Sequence, residues 1–277
     1  MGIGYAVGNV VLAARAYENW AEVITATAKR QEPATIILKN GLTIEAEMGL
    51  RFVVREIFFK RVYTPAYLPI EDNDIVVDIG ANNGVFTIFA ASFTHNAIHA
   101  FEPSPRNLEF LRRNIAVNKL HQVIVHDCAV SDKVGSAKLF INSPEGMQNM
   151  LSDHILPDKI EQYKTRTDVN YLILGADKSE NYIKVPTTTL PEIMDRNNLD
   201  HIDFLKLDCE GAEGGILQST STAYFKRVRK IALEFHDHLS ELDHSAIQKI
   251  LERTGFTTRL KWNSKSPLGY IYAWRNQ

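Results

Sequence analysis

The stretch Ile75-Val76-Val77-Asp78-Ile79-Gly80-Ala81-Asn82-Asn83-Gly84 decides the fold of this chain. A short run of β-branched residues passes through Asp78 into a glycine-bearing turn, and Val85-Phe86-Thr87-Ile88-Phe89-Ala90-Ala91 then reads as a helix. A strand that turns directly into a helix puts the turn at the carboxyl edge of a parallel sheet, where ligands bind in such folds. The next apolar run, Ile98-His99-Ala100-Phe101, closes on Glu102, a carboxylate able to accept hydrogen bonds from both hydroxyls of a ribose. An Asp-x-Gly turn alone would indicate no more than a tight connection in a doubly wound domain. Two acidic strand ends in succession point to a nucleoside-bearing cofactor.

Spacing discriminates between two such cofactors. A pyrophosphate turn needs G-x-G-x-x-G, so that bare backbone and a helix N-terminus meet the paired phosphates. Counting from Gly80, Asn82 stands where the second glycine belongs, Val85 where the third belongs, and Gly84 arrives one residue early. Asp78 would repel a pyrophosphate but would hydrogen-bond the ammonium of a methionine moiety. The pattern favours S-adenosylmethionine over a dinucleotide. Asn82 is tolerated in the bend because asparagine, after glycine, most readily takes left-handed backbone angles.

With 277 residues, 45% of them hydrophobic, the chain can bury a full α/β core. The formal charge of −2 and the lack of a basic block disfavour a nucleic-acid partner. Cys128 and Cys209 are too few for a disulfide scaffold and lack metal-ligand spacing, so a cytoplasmic setting with reduced thiols is expected. Met1 to Ala14 is apolar but has no basic leader, and Arg15 and Glu18 interrupt it short of a membrane span; no membrane association is expected. Ala6 also stands where a myristoylation signal requires Ser or Thr. This segment reads as an amphipathic helix through about Lys29, ending before Pro33, that packs on the body or on a second copy as a homo-oligomer contact.

Asn40-Gly41 marks a hairpin between Thr35–Leu38 and Leu42–Glu45, and Phe52 to Tyr63 has partly helical spacing. Residues 1–70 thus form an N-terminal helix and hairpin extension, and residues 71–277 the main domain. Within it, Ser104 and Pro105 start a helix to Asn118, Val123–His126 is a strand, and Ile183–Thr187 and Ile202–Leu207 are further regular segments. Ile231–Phe235 is a buried strand ending in His236, Ser245–Thr254 a helix stopped by Gly255, and Arg259–Trp262 with Tyr270–Trp274 a closing antiparallel pair. Between residues 142 and 181 no core period survives. That length reads either as a cap over the site, with Met147, Met150, Tyr163, Tyr171 and Leu172 facing substrate, or as a surface insertion.

Val77-Asp78-Ile79-Gly80-Ala81-Asn82-Asn83-Gly84, Phe101-Glu102-Pro103, Ala129-Val130-Ser131-Asp132 and Lys206-Leu207-Asp208-Cys209-Glu210-Gly211-Ala212-Glu213 together resemble the FkbM-type methyltransferases. These are class I S-adenosylmethionine-dependent enzymes, and the resemblance spans roughly Tyr63 to His236. It implies an α/β fold, a Rossmann-like, doubly wound, mostly parallel seven-stranded sheet with an antiparallel C-terminal strand. Carried over residue by residue, it implies that Asp78, Gly80, Ala81, Asn82, Asn83 and Gly84 hold the methionine part, and that Glu102 and Pro103 hold the ribose. It further assigns Asp127, Cys128 and Ala129 to the adenine edge and Asp208 to the reacting end. The implied activity is O-methylation of a hydroxyl or carboxyl group on a small-molecule acceptor such as a natural product or sugar.

Methyl transfer from a sulfonium needs alignment and removal of the acceptor proton. The candidates for that proton stand at strand ends: Asp208 and Glu210 after one strand, Glu234 and His236 after another. His236 is the first choice as base because an unperturbed imidazole titrates near pH 6.5; the competing reading is that it only satisfies a local hydrogen bond. Asp208, Glu234 and His236 also offer a donor set for a divalent metal, which the sequence leaves open. Glu213 reads as a helix-start carboxylate and Lys206 as the partner of an acidic neighbour. Two rival functions remain: a noncatalytic cofactor-binding protein that recruits a partner through its cap, and an RNA or protein methyltransferase, for which no basic groove or Asn-Pro-Pro-Tyr-like motif is present.

Overall fold

The computed structural model describes residues 13–29, 31, 35–45, 49–141, 149–151 and 182–275. A helix α1 (Trp20–Ala28), a hairpin of β1 (Thr35–Ile37) and β2 (Thr43–Glu45), and a helix α2 (Leu50–Val54) that widens into a π-helical turn at Arg55–Phe59 come first. Then follow β3 (Val76–Ile79), α3 (Val85–Ala91), β4 (Ile98–Phe101), α4 (Pro105–Val117) and β5 (Val123–His126). A second group contains β6 (Ala129–Val130), β7 (Gly135–Ile141), β8 (Asn149–Leu151) and β9 (Tyr182–Thr188). The chain closes with α5 (Leu190–Arg196), β10 (Ile202–Leu207), α6 (Glu213–Ser219), α7 (Thr222–Phe225), β11 (Val228–His236), α8 (His244–Arg253), β12 (Thr257–Trp262) and β13 (Leu268–Trp274).

The seven-stranded sheet runs β12-β13-β11-β10-β3-β4-β5. Pairing is parallel from β11 through β5, and β13 lies antiparallel to both β11 and β12. This is the Rossmann-like sheet expected, with its antiparallel closing strand. β3 and β10 are buried at every position, which is why they are dominated by apolar residues and why their charged members, Asp78, Asp203 and Lys206, are enclosed as well. The strand order reverses between β3 and β10, and the loops after these two strands meet there.

The two sides of the sheet are covered differently. One side packs Val77, Leu205, Leu207, Ile231 and Leu233 against α5, α6 and α8 through Ile193, Ile216 and Ile247. The other packs Val76, Phe204, Ala232 and Tyr272 against Phe86 and Phe89 of α3 and against Ile36, Leu50, Val54 and Tyr63 from the N-terminal segment. That segment is pinned by polar contacts as well. Asn114 of α4, fully buried, accepts from Glu45 N–H and donates to the carbonyls of Glu45 and Asn83. One turn later Asn118 accepts from Thr43 N–H and donates to Thr43 O, so two side-chain amides serve β2 as a neighbouring strand would.

Several local expectations change. The N-terminal helix is in two pieces, a helical turn at residues 13–16 and then α1, because Tyr17 bridges to Leu38 and Asn19 bonds the backbone of Thr35 and Ile37. Ser104 occupies the N-cap position of α4 without a side-chain cap; its N–H donates to Glu102 instead. Of residues 142–181 only β8 is described, paired with β7, so Met147, Tyr163, Tyr171 and Leu172 lie outside the described residues. No helix among the described residues is long and apolar enough to cross a membrane.

Candidate active site

Strand register assembles the site. Lys206 of β10 stands opposite Asp78 of β3, and Leu207 stands opposite Leu233 of β11, which sets Asp208 beside Glu234 at the carboxyl edge. Asp78 is wholly buried; Thr87 donates to its Oδ2 at 2.6 Å, and Lys206 Nζ lies 3.1 Å from Oδ1. Lys206 in turn donates to Gly80 O at 2.7 Å and lies 3.8 Å from Asp208. Burial works against its charge, but the Asp78 and Asp208 carboxylates outweigh burial and hold the ammonium more firmly protonated than usual. Asp78 therefore sits beneath the turn, where Thr87 and Lys206 engage both its oxygens.

Above Asp78 the turn takes the strained shape expected of it. Gly80, Asn82 and Gly84 all have positive φ, Asn82 at 53°. A side chain on Gly80 would put its Cβ 1.8 Å from the carbonyl oxygen of Asp208, so the two strand-end loops abut with nothing between them. The cleft they floor spans about 570 Å³, counting the solvent space at its open mouth. Gly80, Asn82, Glu102, Pro103, Asp208 and Glu210 line its polar side. Ile79, Phe101, Val130 and Leu139 line its apolar side.

Glu102 is buried, and both its oxygens are engaged: Oε2 accepts from Asn82 N–H at 2.8 Å, and Oε1 from Ser104 N–H at 2.9 Å and Asn107 Nδ2 at 3.2 Å. Burial raises its pKa to about 7, against the pull of those three donors. A bare bend, a buried carboxyl group at the rim and an apolar wall suit a nucleoside with an amino-acid tail. The residues carried over to the adenine edge differ in placement. Ala129 lines the cleft, but Asp127 points outward to Arg112 at 2.5 Å and Cys128 packs against the core. Ala81 is buried against Leu108 and Leu111, Gly84 abuts Leu111, and the Asn83 carbonyl is taken by Asn114, so these three support the bend from behind.

At the reacting end, carboxyl groups outnumber cations. Glu213 is fully buried at the start of α6, where it accepts from the N–H groups of Cys209 and Gly211 and so folds the preceding loop around itself. His236, also buried, has Nδ1 3.2 Å from Glu213 and Nε2 3.4 Å from Glu210. Burial disfavours the charged imidazole, yet Glu210 and Glu213 more than compensate, and its pKa stands well above 6.5. His236 thus stands between Glu210 and Glu213, whose charges favour its protonated form over the neutral form a general base needs. Burial pushes Glu210 up, His236 opposing, and Glu210 holds a left-handed backbone at φ 53°. Burial and the charge of Asp208 raise Glu234 to about 7.

Asp208, Glu210 and His236 bring ligand-type atoms within 4.8 Å of one another, with Glu210 in the place expected of Glu234. Oxygen donors with one imidazole suit a hard divalent ion. As arranged, both His236 nitrogens face carboxyl groups, so an ion here would have to displace at least one of those contacts. One site residue had no sequence signal: Tyr63 Oη lies 2.8 Å from Asp208 Oδ2 and 2.9 Å from Glu234 Oε2. Leu139 of β7 was equally hidden, since its strand belongs to the small mixed sheet β6-β9-β7-β8 rather than to the parallel core.

Residues 78–258 match the family described as the methyltransferase FkbM domain. The 31-O-demethyl-FK506 methyltransferase FkbM of Streptomyces tacrolimicus is 29% identical over 233 residues, covering 80% of this chain and 88% of that protein. Methyltransferase 1 of Beauveria bassiana is 26% identical over 219 residues, covering 78% of this chain and 84% of that one. Among solved structures, methyltransferase FkbM from Methylobacillus flagellatus aligns with a TM-score of 0.47 at 15% identity, covering 98% of this chain and 60% of that chain. The strand order, the glycine bend between Asp78 and Gly84 and the match from residue 78 to 258 lead to one assignment: the chain belongs to the FkbM family of S-adenosylmethionine-dependent methyltransferases.

Proposed function

We propose that this chain O-methylates a hydroxyl, or a carboxyl, of a small-molecule acceptor, with Asp208 as the group that removes the acceptor proton. The observation that carries this reading is the position of Asp208, which lines the cleft and is fixed at Oδ2 by Tyr63. Oδ1 is the oxygen left to take a proton. Bound S-adenosylmethionine would supply a methyl already activated on a sulfonium. Gly80, Asn82 and Glu102 would hold it, and Ile79, Phe101, Val130 and Leu139 would exclude water from the same cleft. Asp208 then aligns the acceptor oxygen and takes its proton as the new bond forms.

One relative supports the O-methyl reading by its printed name, 31-O-demethyl-FK506 methyltransferase FkbM. The formal charge of −2 supports a small acceptor over nucleic acid. The test is transfer of labelled methyl from the cofactor to a panel of hydroxylated and carboxylated metabolites, with RNA and protein as comparison arms. Label in a small molecule is expected. Asp208→Asn should lower turnover by about a hundredfold or more, with cofactor affinity changed only a fewfold. Label confined to RNA or protein, or undiminished turnover in the variant, overturns the reading.

A further inference from the structure

Tyr63 stands upstream of the family-matched segment, which begins at residue 78, yet its hydroxyl touches two groups of the reacting end. It is 5% exposed, and its ring is wedged edge-on against Phe86 and Tyr270. The loop that carries it is itself fixed, because Tyr272 Oη donates to Val62 O at 2.6 Å and Thr64 N–H closes a turn onto Arg61 O. Lys206 Nζ lies over the ring, 5.5 Å from its centre. Ring, loop and hydroxyl are thus held from four sides, and the hydroxyl is presented to the gap between Asp208 and Glu234.

A phenol has one proton to donate, and here two carboxyl groups lie at hydrogen-bond distance from it. Both contacts are satisfied when the hydroxyl donates to Asp208 Oδ2 and a proton kept on Glu234 is donated to the phenolic oxygen. The chain Glu234–Tyr63–Asp208 then fixes the rotamer of Asp208 at the cleft lining and leaves Oδ1 outside the bridge. We propose that Tyr63 is a positioning residue for methyl transfer, so that the working site of this enzyme includes a side chain from the N-terminal segment. This rests on Asp208 being the group that receives the acceptor proton.

Tyr63→Phe keeps the ring packed and removes only the hydroxyl, so two readouts are needed. With the acceptor found in the metabolite panel, kcat should fall about a hundredfold, the loss typical of a misplaced reacting group, while acceptor KM and cofactor Kd shift by no more than about threefold. In an Asp208→Asn background the same change should cost about twofold or less, because the group it positions is already gone. Unchanged kcat, or a loss that multiplies fully with that of Asp208→Asn, overturns the proposal, as does a fall in melting temperature as the variant's sole effect. The second readout needs no acceptor: the infrared difference spectrum of Tyr63→Phe against the parent protein should show shifted carboxyl bands. If the panel yields no acceptor, the O-methyl reading fails while the infrared result still decides the bridge; unaltered carboxyl bands overturn it.

Discussion

The two faces of the central sheet are built from adjacent residues of the same strands and do different work. Val77, Ile79, Leu205, Leu207 and Leu233 point one way into an apolar layer under α5, α6 and α8. Asp78, Lys206, Asp208 and Glu234 point the other way and form an ionic row that ends at the cleft, beneath α3 and the N-terminal segment. Alternation along a strand thus lets one set of residues stabilise the fold and its neighbours set the chemistry. The first face tolerates anything apolar of the right volume. The second is constrained by charge, because each buried ion on it needs its partner.

Removing a partner from the ionic row should produce the largest stability effect. Asp78→Ala leaves Lys206 buried with its main countercharge gone, and a loss of about 3–5 kcal/mol in chemical denaturation is expected. A loss under about 1 kcal/mol would erase the distinction between the faces.

A second comparison sets Leu233→Ala beside Glu234→Gln. The leucine change should lower stability by about 2–5 kcal/mol by the same amount at every pH. Glu234 is different because its folded pKa, about 7, lies above the ordinary 4.5. A carboxyl raised in this way holds its proton more tightly when folded, so its contribution is full below 4.5 and is lost as pH climbs through 7. Glu234→Gln should therefore gain on the parent protein across that window. A constant gap between the two would remove the pH signature from this face.

The smallest expected effect concerns the cofactor. Glu102 is held near 7 by burial, and ribose hydroxyls would favour its ionised form, so binding should release a proton. Calorimetry should show S-adenosylmethionine affinity rising by up to about tenfold per pH unit below 7 and levelling above it. The slope should vanish in Glu102→Gln.

Much of this was legible in the residues. The strands declared themselves because they are buried on both sides and rich in Val, Ile and Leu, and the bend did so because Gly80, Asn82 and Gly84 meet a backbone demand few other residues meet. Asp78 was found but not its surroundings: Lys206 lies opposite in the neighbouring strand, and register between distant segments leaves no local trace. The surroundings of His236 were equally hidden, since Glu210 and Glu213 reach it from the end of another strand. Tyr63 was invisible because it reaches partners 145 and 171 residues away, and nothing in its own surroundings distinguishes it from a core tyrosine.

The amides of Asn114 and Asn118 bear on how short a working protein can be. They dock β2 onto α4, and Asn114 extends the same linkage to the carbonyl of Asn83 inside the glycine bend. A chain trimmed to begin near residue 70 would lose Tyr63 and both Asn114 bonds to Glu45, and would uncover the side of α4 that the hairpin now packs against. On the proposed role of Tyr63, the hairpin and the loop that follows it belong with the site they are bonded to.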